Sequence, residues 1–182
     1  MAHYFLGIPL PNDIKAHLHE LSKRFKADLD YGYWTDEADY HITLLFLGDA
    51  KPSQLEALKR SLHAKTGQMA GGDIKLKGFG TFGKKEQPRV LWMGIDYDRH
   101  LTELYEAAKE SVASSGFTVD ARPYRPHITI AKKWRSPSRI ADIESLFPSF
   151  EPLSWKAKEY ILFQVDPGKT PRYIPVESFT LI

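Results

Sequence analysis

The chain has 182 residues, no cysteine and a formal net charge of +2 at neutral pH. This length fits one domain, or two small lobes that share a core. The lack of cysteine excludes disulfides and thiolate metal sites, and the small net charge does not by itself indicate nucleic-acid binding. No segment approaches the roughly 20 apolar residues that span a bilayer, and the short apolar run near the N-terminus stops at two prolines, unlike a signal peptide. We therefore expect a cytoplasmic protein with no membrane segment.

The first half of the chain alternates between predicted strands and helices. Apolar residues predict strands over residues 4–8, 31–34 and 40–47. One helix is predicted from Asn12, its N-cap, to about Phe25. A second begins near Ser53, which has capping-box spacing with Glu56. A glycine-rich joint over residues 67–73 then separates the two halves.

The second half repeats this alternation. A helix is predicted over residues 99–115 and ends at Gly116, and another opens at Ser136-Pro137 and continues to about Leu146. Phe82 closes a glycine-rich strand, and we expect it to reach a functional site. Strands are predicted over residues 74–82, 90–97, 117–121, 127–132, 155–165 and 173–181.

The tetrapeptide His-Ile-Thr-aliphatic occurs twice, beginning at His41 and at His127. Alternate side chains of a strand point to the same face, so His41 shares a face with Thr43, and His127 with Thr129. Two such strands side by side present two imidazoles and two hydroxyls to one cavity. This set of groups suits acid–base chemistry on a phosphate and requires no metal.

The elements around the motif repeat in order as well. Strand, helix, strand, motif strand and helix follow one another over residues 4–65 and again over residues 90–146. This repeat predicts an α+β architecture of two lobes related by a pseudo-two-fold axis, with the motif strands face to face. A second arrangement, in which both motif strands belong to one sheet, stays open, because the repeat does not exclude it.

Two other interpretations compete with a catalytic pair. The histidines of a strand-rich core can simply be hydrogen-bonded, although two copies of so costly a burial favour a functional role. Zinc sites use three or four His, Cys or carboxylate ligands, whereas only Asp39 and Asp49 flank the first motif and no acid lies within either one. We therefore expect no metal and no cofactor.

Cations and an aromatic residue surround the second motif. Arg125 and Lys132 bracket His127, and Tyr124 lies beside Arg125. Such cations bind phosphates, and aromatic rings stack on bases. The alternative is a solvated basic strand end. We expect Tyr124, Arg125, Lys132 and Phe82 to bind the substrate.

Several stretches of the chain resemble one known family. Residues 40–48 are very similar to its first motif with the Phe-Leu-Gly ending, and residues 124–131 to its second motif, including the proline before the histidine. Residues 4–8 and 88–92 resemble its opening and central strands. The family is the 2H phosphoesterases, in the RNA 2′,3′-cyclic phosphodiesterase branch that is also called 2′-5′ RNA ligase. The chain departs from it at Lys132, since the family often has Arg shortly after the second motif.

The resemblance implies a single bilobal α+β domain over residues 1–182, with antiparallel sheets lining a central cleft. It also implies hydrolysis of RNA 2′,3′-cyclic phosphates to 2′-phosphates. By analogy His41 is the proton donor and His127 the proton acceptor, while Thr43 and Thr129 donate hydrogen bonds to the phosphate oxygens. The nearly symmetric sequence does not itself distinguish acid from base. The expected partners are RNA ends with a cyclic phosphate or small cyclic nucleotides, and the expected state is a monomer.

Three alternative functions remain open at this point. The same site can join RNA ends through a 2′-5′ bond by the reverse reaction. It can act on a small cyclic-phosphate metabolite. It can also capture RNA ends without turnover, although the intact His41 and Thr43 argue against a purely binding role.

Overall fold

Most helices and strands form where the apolar periodicity predicts them. The computed structural model describes residues 2–137 and 140–182. Helix α1 buries one stripe, including Ile14, Leu18 and Phe25. The helices are α1 (Asn12–Lys26), α2 (Pro52–Thr66) and α3 (Arg99–Ser114). The strands are β1 (His3–Pro9), β2 (Tyr31–Trp34), β3 (His41–Asp49), β4 (Asp73–Lys84), β5 (Gln87–Tyr97), β6 (His127–Trp134), β7 (Ser154–Lys156), β8 (Glu159–Val165) and β9 (Tyr173–Thr180).

The strands of the described residues, nine in number, form one antiparallel sheet in the order β7-β4-β5-β6-β3-β1-β8-β9, with β2 paired to β6. The motif strands β3 and β6 are neighbours, and Ile42 pairs with Ile128. Strand β2 pairs further along the same side of β6, so β3 and β6 separate beyond their contact. The same-sheet arrangement is therefore the one observed, and the predicted α+β class is confirmed.

The helices cover the sheet and leave the motif face free. Phe25 of α1 packs edge-to-face on Phe79 of β4, with ring centroids 4.8 Å apart. Thr66 of α2 shares a hydrogen bond with the buried Tyr160 of β8. No helix in the part of the chain that the structure describes is long and apolar enough to cross a membrane.

Two predicted elements are absent from the described residues. Residues 117–121 do not form a strand and instead connect α3 to β6 as irregular backbone. The predicted helix opening at Ser136-Pro137 is wrong over residues 140–146, where only a 3₁₀ turn (Glu144–Leu146) forms. The Asp142 carboxylate accepts the Glu144 N–H and so competes with helical bonding. The rest of that prediction, residues 138–139, lies outside the described residues.

Smaller differences concern element ends. Asn12 is the first residue of α1, preceded by Pro11, and its side chain does not cap the helix. Helix α2 begins at Pro52, and the Gln54 side chain accepts from the backbone N–H of Lys51, so the predicted Ser53–Glu56 capping box is wrong. The strand predicted over residues 155–165 is divided into β7 and β8. Gly116 does follow α3 in the left-handed region, with φ of 82°.

Candidate active site

The two motifs place their histidines and threonines on the open face of the sheet. Ile42 and Ile128 are fully buried on the opposite face of the sheet. The His and Thr side chains of each motif, which are two residues apart in the strand, face the cleft. Antiparallel register continued from the Ile42–Ile128 pair sets His41 across from Thr129, and His127 across from Thr43. The site is therefore assembled by one backbone pairing between two strands of the same sheet.

Both imidazoles are oriented by the same local hydrogen bond. Nδ1 of His41 lies 2.7 Å from the carbonyl oxygen of Asp39, and Nδ1 of His127 lies 2.7 Å from that of Arg125. A carbonyl oxygen only accepts, so each Nδ1 carries the proton and donates. Each Nε2 is then left without a proton in the neutral ring. At His41 this nitrogen accepts from the Thr43 hydroxyl at 2.9 Å.

Aromatic rings enclose His41. Its centroid lies 4.7 Å from that of Phe5 and 4.9 Å from that of Tyr173, the latter edge-to-face. Gly7 leaves the space that the imidazole occupies, because a Cβ there would lie 3.2 Å from Cδ2 of His41. The ring is thereby fixed between β1, β3 and β9.

A different set of rings borders His127. Phe82 of β4 meets it edge-to-face at 5.0 Å, and Trp92 of β5 lies 6.3 Å away. The indole of Trp92 lies so close over Gly80 that a Cβ there would approach it to 2.2 Å. Gly80 therefore leaves the space that the Trp92 indole occupies. Phe82 lies against His127, as expected from the sequence.

Burial shifts both histidines toward the neutral form. It lowers the pKa of His41 to about 4, and the charges of His127, Lys132 and Lys15 add to this, against the hydrogen bond to Asp39. Burial also lowers the pKa of His127, again against its backbone hydrogen bond. In the free protein at neutral pH, both Nε2 atoms are therefore proton acceptors.

A cleft of about 390 Å³ holds all four motif side chains. Lys132 and Arg172 supply its positive charge, and both lie over the ring of Tyr33, at 4.9 Å for the ammonium nitrogen and 4.3 Å for the guanidinium carbon. The cleft thus offers two imidazoles, two hydroxyls and two cations to one ligand. The remaining lining residues are Phe5, Thr35, Phe46, Phe82, Val90, Val165 and Tyr173.

A larger groove of about 860 Å³ adjoins this cleft at His127. Tyr124 and Arg125 line the groove and do not line the cleft. The Tyr124 ring stacks on Tyr105 with centroids 4.0 Å apart, and its hydroxyl donates to the carbonyl oxygen of Thr43 at 3.2 Å. Of the four residues predicted to bind substrate, Phe82 and Lys132 thus lie with the motifs, whereas Tyr124 and Arg125 lie beside them.

Sequence reasoning missed the contribution of the C-terminal segment. Arg172 and Tyr173 reach the cleft because β8 pairs with β1 and β9 pairs with β8. Asp39 holds this segment, since its carboxylate accepts the N–H of Arg172 at 3.0 Å and that of Tyr173 at 3.1 Å. The only signal in the sequence was an acid two residues before His41.

The described residues contain no cluster of three or more His, Asp or Glu side chains arranged to hold a metal ion. This matches the composition of the cleft, where the acidic residue nearest the motifs, Asp39, directs its carboxylate to backbone N–H groups.

Comparison with known proteins identifies the family. Residues 8–92 and 95–173 match the LigT like Phosphoesterase family. The chain is 35% identical over its full length to an RNA 2′,3′-cyclic phosphodiesterase of Geobacillus stearothermophilus, of which it spans 58%. It is 34% identical over 98% of its length to an RNA 2′,3′-cyclic phosphodiesterase of Bacillus subtilis, of which it spans 96%. A crystal structure of E. coli LigT complexed with 3′-AMP superposes with a TM-score of 0.81 at 25% identity, over 99% of this chain and 98% of that one. The chain therefore belongs to the LigT like phosphoesterases, as its two motifs indicated.

Proposed function

We propose that the protein hydrolyses RNA 2′,3′-cyclic phosphates to 2′-phosphates without a metal ion. The observation that carries this proposal is the pair of His-x-Thr motifs, each with its Nε2 directed away from a backbone-bound Nδ1, in one cleft of about 390 Å³. The names of its relatives from Geobacillus and Bacillus support the same reaction.

The reaction needs two proton transfers at one phosphorus. His127 takes a proton from water as the water oxygen bonds to phosphorus, and the P–O3′ bond breaks. His41 gives its proton to the departing 3′ oxygen, which leaves a 3′ hydroxyl and a 2′-phosphate. Thr43 and Thr129 donate hydrogen bonds to the non-bridging oxygens, where negative charge increases in the transition state.

The low pKa of His41 bears on its role as the acid. In the free protein the ring is neutral at pH 7. A bound phosphate places negative charge beside both imidazoles and raises their pKa, which allows His41 to carry a proton. When it does so, Nε2 no longer accepts from Thr43, and the Thr43 hydroxyl is released to donate to the phosphate.

The three alternative functions differ from hydrolysis in their product, in their preferred substrate or in the absence of turnover. Ligation replaces the water by a 5′ hydroxyl in the groove beyond His127, and comparing ligation with hydrolysis at equal RNA concentration distinguishes them. A metabolite phosphodiesterase prefers small cyclic phosphates to RNA fragments. A binding protein retains RNA ends without turnover. The single-domain extent over residues 1–182, the monomeric state and the cytoplasmic location stay predictions.

The test is product analysis with a 2′,3′-cyclic mononucleotide. The expected product carries its phosphate on the 2′ oxygen. His41→Ala and His127→Ala should each lower the rate by at least about 10²-fold, because each removes one proton transfer. Near-wild-type turnover in either folded variant would contradict the proposal.

A chelator provides the control for the metal. The wild-type rate should be unchanged in excess chelator. If the chelator abolishes turnover and added zinc restores it, a metal-dependent mechanism replaces the one proposed.

A further inference from the structure

Arg172 occupies a place in the cleft that the motifs do not account for. It lines the same cavity as His41, His127 and the two threonines. Its guanidinium carbon lies 4.3 Å from the centroid of the Tyr33 ring. The structure describes residues 2–137 and 140–182, and among these no acid forms an ion pair with Arg172. The side chain is thus oriented by a ring and left with its donors available.

Hydrogen bonds on both sides fix the backbone of Arg172. Asp39, only 3% exposed, accepts the N–H groups of Arg172 and Tyr173 with its two carboxylate oxygens. The carbonyl of Arg172 accepts the N–H of Asp166 at 2.8 Å and closes the connection between β8 and β9. A buried carboxylate is stable only where donors satisfy it, so the segment and Asp39 hold each other in place.

Asp39 also connects this segment to His41. Its carboxylate binds the backbone of residues 172–173, and its own carbonyl oxygen accepts Nδ1–H of His41. The ring of Tyr173 then contacts His41 edge-to-face. One residue therefore fixes both the imidazole and the segment that brings a guanidinium into the cleft.

The two cations of the cleft differ in what they offer to an anion. Lys132 presents a point charge, whereas a guanidinium presents a planar fork that matches two oxygens of one phosphate. Burial and the adjacent charge of Arg172 lower the pKa of Lys132. Two like charges on one ring repel, and an anion bound between them relieves that repulsion. The pair is thus suited to a phosphate.

We propose that Arg172 binds the non-bridging oxygens of the substrate phosphate, and that Asp39 is the residue that positions it. This inference rests on the proposed function and adds a phosphate-binding residue to it. Lys132 cannot bind two phosphate oxygens with a planar pair of donors, whereas the Arg172 guanidinium of the C-terminal segment can.

The test compares Arg172→Lys with Lys132→Arg in the same background. Arg172→Lys keeps the charge and removes the fork, so KM for a 2′,3′-cyclic mononucleotide and the inhibition constant of inorganic phosphate should both rise about tenfold. The double variant Lys132→Arg/Arg172→Lys should recover most of that loss, since it returns a fork to the cleft. Arg60→Lys, on the exposed side of α2, is the matched control and should match the wild type.

The Asp39 part is tested through non-additivity. Asp39→Asn should raise the phosphate inhibition constant several-fold in the wild type and hardly at all in Arg172→Lys, because both changes act through the same side chain. Asp39→Glu serves if the amide variant does not fold. Equal effects of the Asp39 variant in both backgrounds would overturn its positioning role.

The outcomes separate this inference from the proposed function. If the wild type hydrolyses the substrate and Arg172→Lys has unchanged KM and phosphate inhibition, the role of Arg172 is wrong and the function stands. If the wild type binds phosphate in an Arg172-dependent way yet hydrolyses nothing, the function is wrong and the phosphate site stands.

Discussion

The two ends of the cleft share a backbone arrangement and differ in almost everything around it. His41 and His127 each donate Nδ1–H to the carbonyl two residues earlier at 2.7 Å. At the first end that earlier residue is Asp39, whose buried side chain binds the C-terminal segment. At the second it is Arg125, whose side chain is exposed. A repeated motif thus fixes ring orientation twice, while the unrepeated surroundings make the two imidazoles chemically unequal.

The largest expected effect concerns the threonines. Thr43→Val and Thr129→Val each remove one hydroxyl donor, and the rate should fall by about 10²–10³-fold in each. The two losses should be similar, because the hydrogen bond from Thr43 to Nε2 of neutral His41, 2.9 Å long, is already broken in the protonated state that reacts. Steady-state kinetics on a cyclic mononucleotide gives both values. Thr43→Ser and Thr129→Ser retain the hydroxyl and should stay close to the wild type; an active Thr129→Val would show that only one end stabilises charge.

The next effect is a shift of the pH–rate profile to lower pH. Hydrolysis requires one imidazole protonated and the other neutral, and burial lowers the pKa of both, that of His41 to about 4. The profile of kcat/KM, which reports the free enzyme, should therefore reach its maximum below pH 6.5 and fall above it. The profile of kcat should lie at higher pH, because bound phosphate raises both pKa values.

Titration of the two rings by NMR separates the ends directly. Gln variants at each position assign the signals, and His41 should titrate below His127, since three cations add to its burial. The unfolded chain takes up the His41 proton near pH 6.5, whereas the folded protein does so only near pH 4. Protonation of His41 therefore favours the unfolded chain, and the free energy of unfolding decreases as pH falls through that interval. A His41 that titrates above His127 would reverse the comparison.

The smallest effect concerns Tyr124. Its hydroxyl donates to the Thr43 carbonyl and its ring stacks on Tyr105. Tyr124→Phe should therefore lower the free energy of unfolding by about 1 kcal/mol and leave KM unchanged. Urea denaturation measures the first quantity and steady-state kinetics the second. A raised KM with unchanged stability would return Tyr124 to the substrate-binding role that the sequence suggested.

Local patterns predicted the parts of the site that depend on local structure. Alternation within residues 40–47 and 127–132 placed each His with its Thr on one face, as observed in β3 and β6. Helix α1 followed its stripe from Ile14 to Phe25 within one residue of the predicted end. In these segments the apolar residues that set the helix or strand periodicity are also the ones that become buried. The local sequence is therefore sufficient to predict both the element and its buried face.

Long-range pairing determined the rest. The strands predicted over residues 155–165 and 173–181 lie on either side of Arg172 in the sequence. Nothing there indicates that β8 pairs with β1, or that Asp39 binds the backbone of Arg172 from 133 positions away. Residues 117–121 have strand composition, yet no strand of the described sheet pairs with them. Residues 140–146 have helical spacing, yet the side chains of Asp142 and Ser145 bind the local backbone instead. Each outcome depends on competition between partners, which a single segment does not reveal.

The pairing of β1 with β8 has a consequence for how the protein folds. Phe5 stands opposite Phe163, which follows it by 158 positions, and both rings border His41. Closing a loop of that length costs about 4–5 kcal/mol of chain entropy before any contact repays it. Chains dominated by such remote pairings fold in milliseconds to seconds. We therefore expect the His41 end to be completed late, after β8 docks, whereas the β4–β5 hairpin beside His127 can form from neighbouring residues alone.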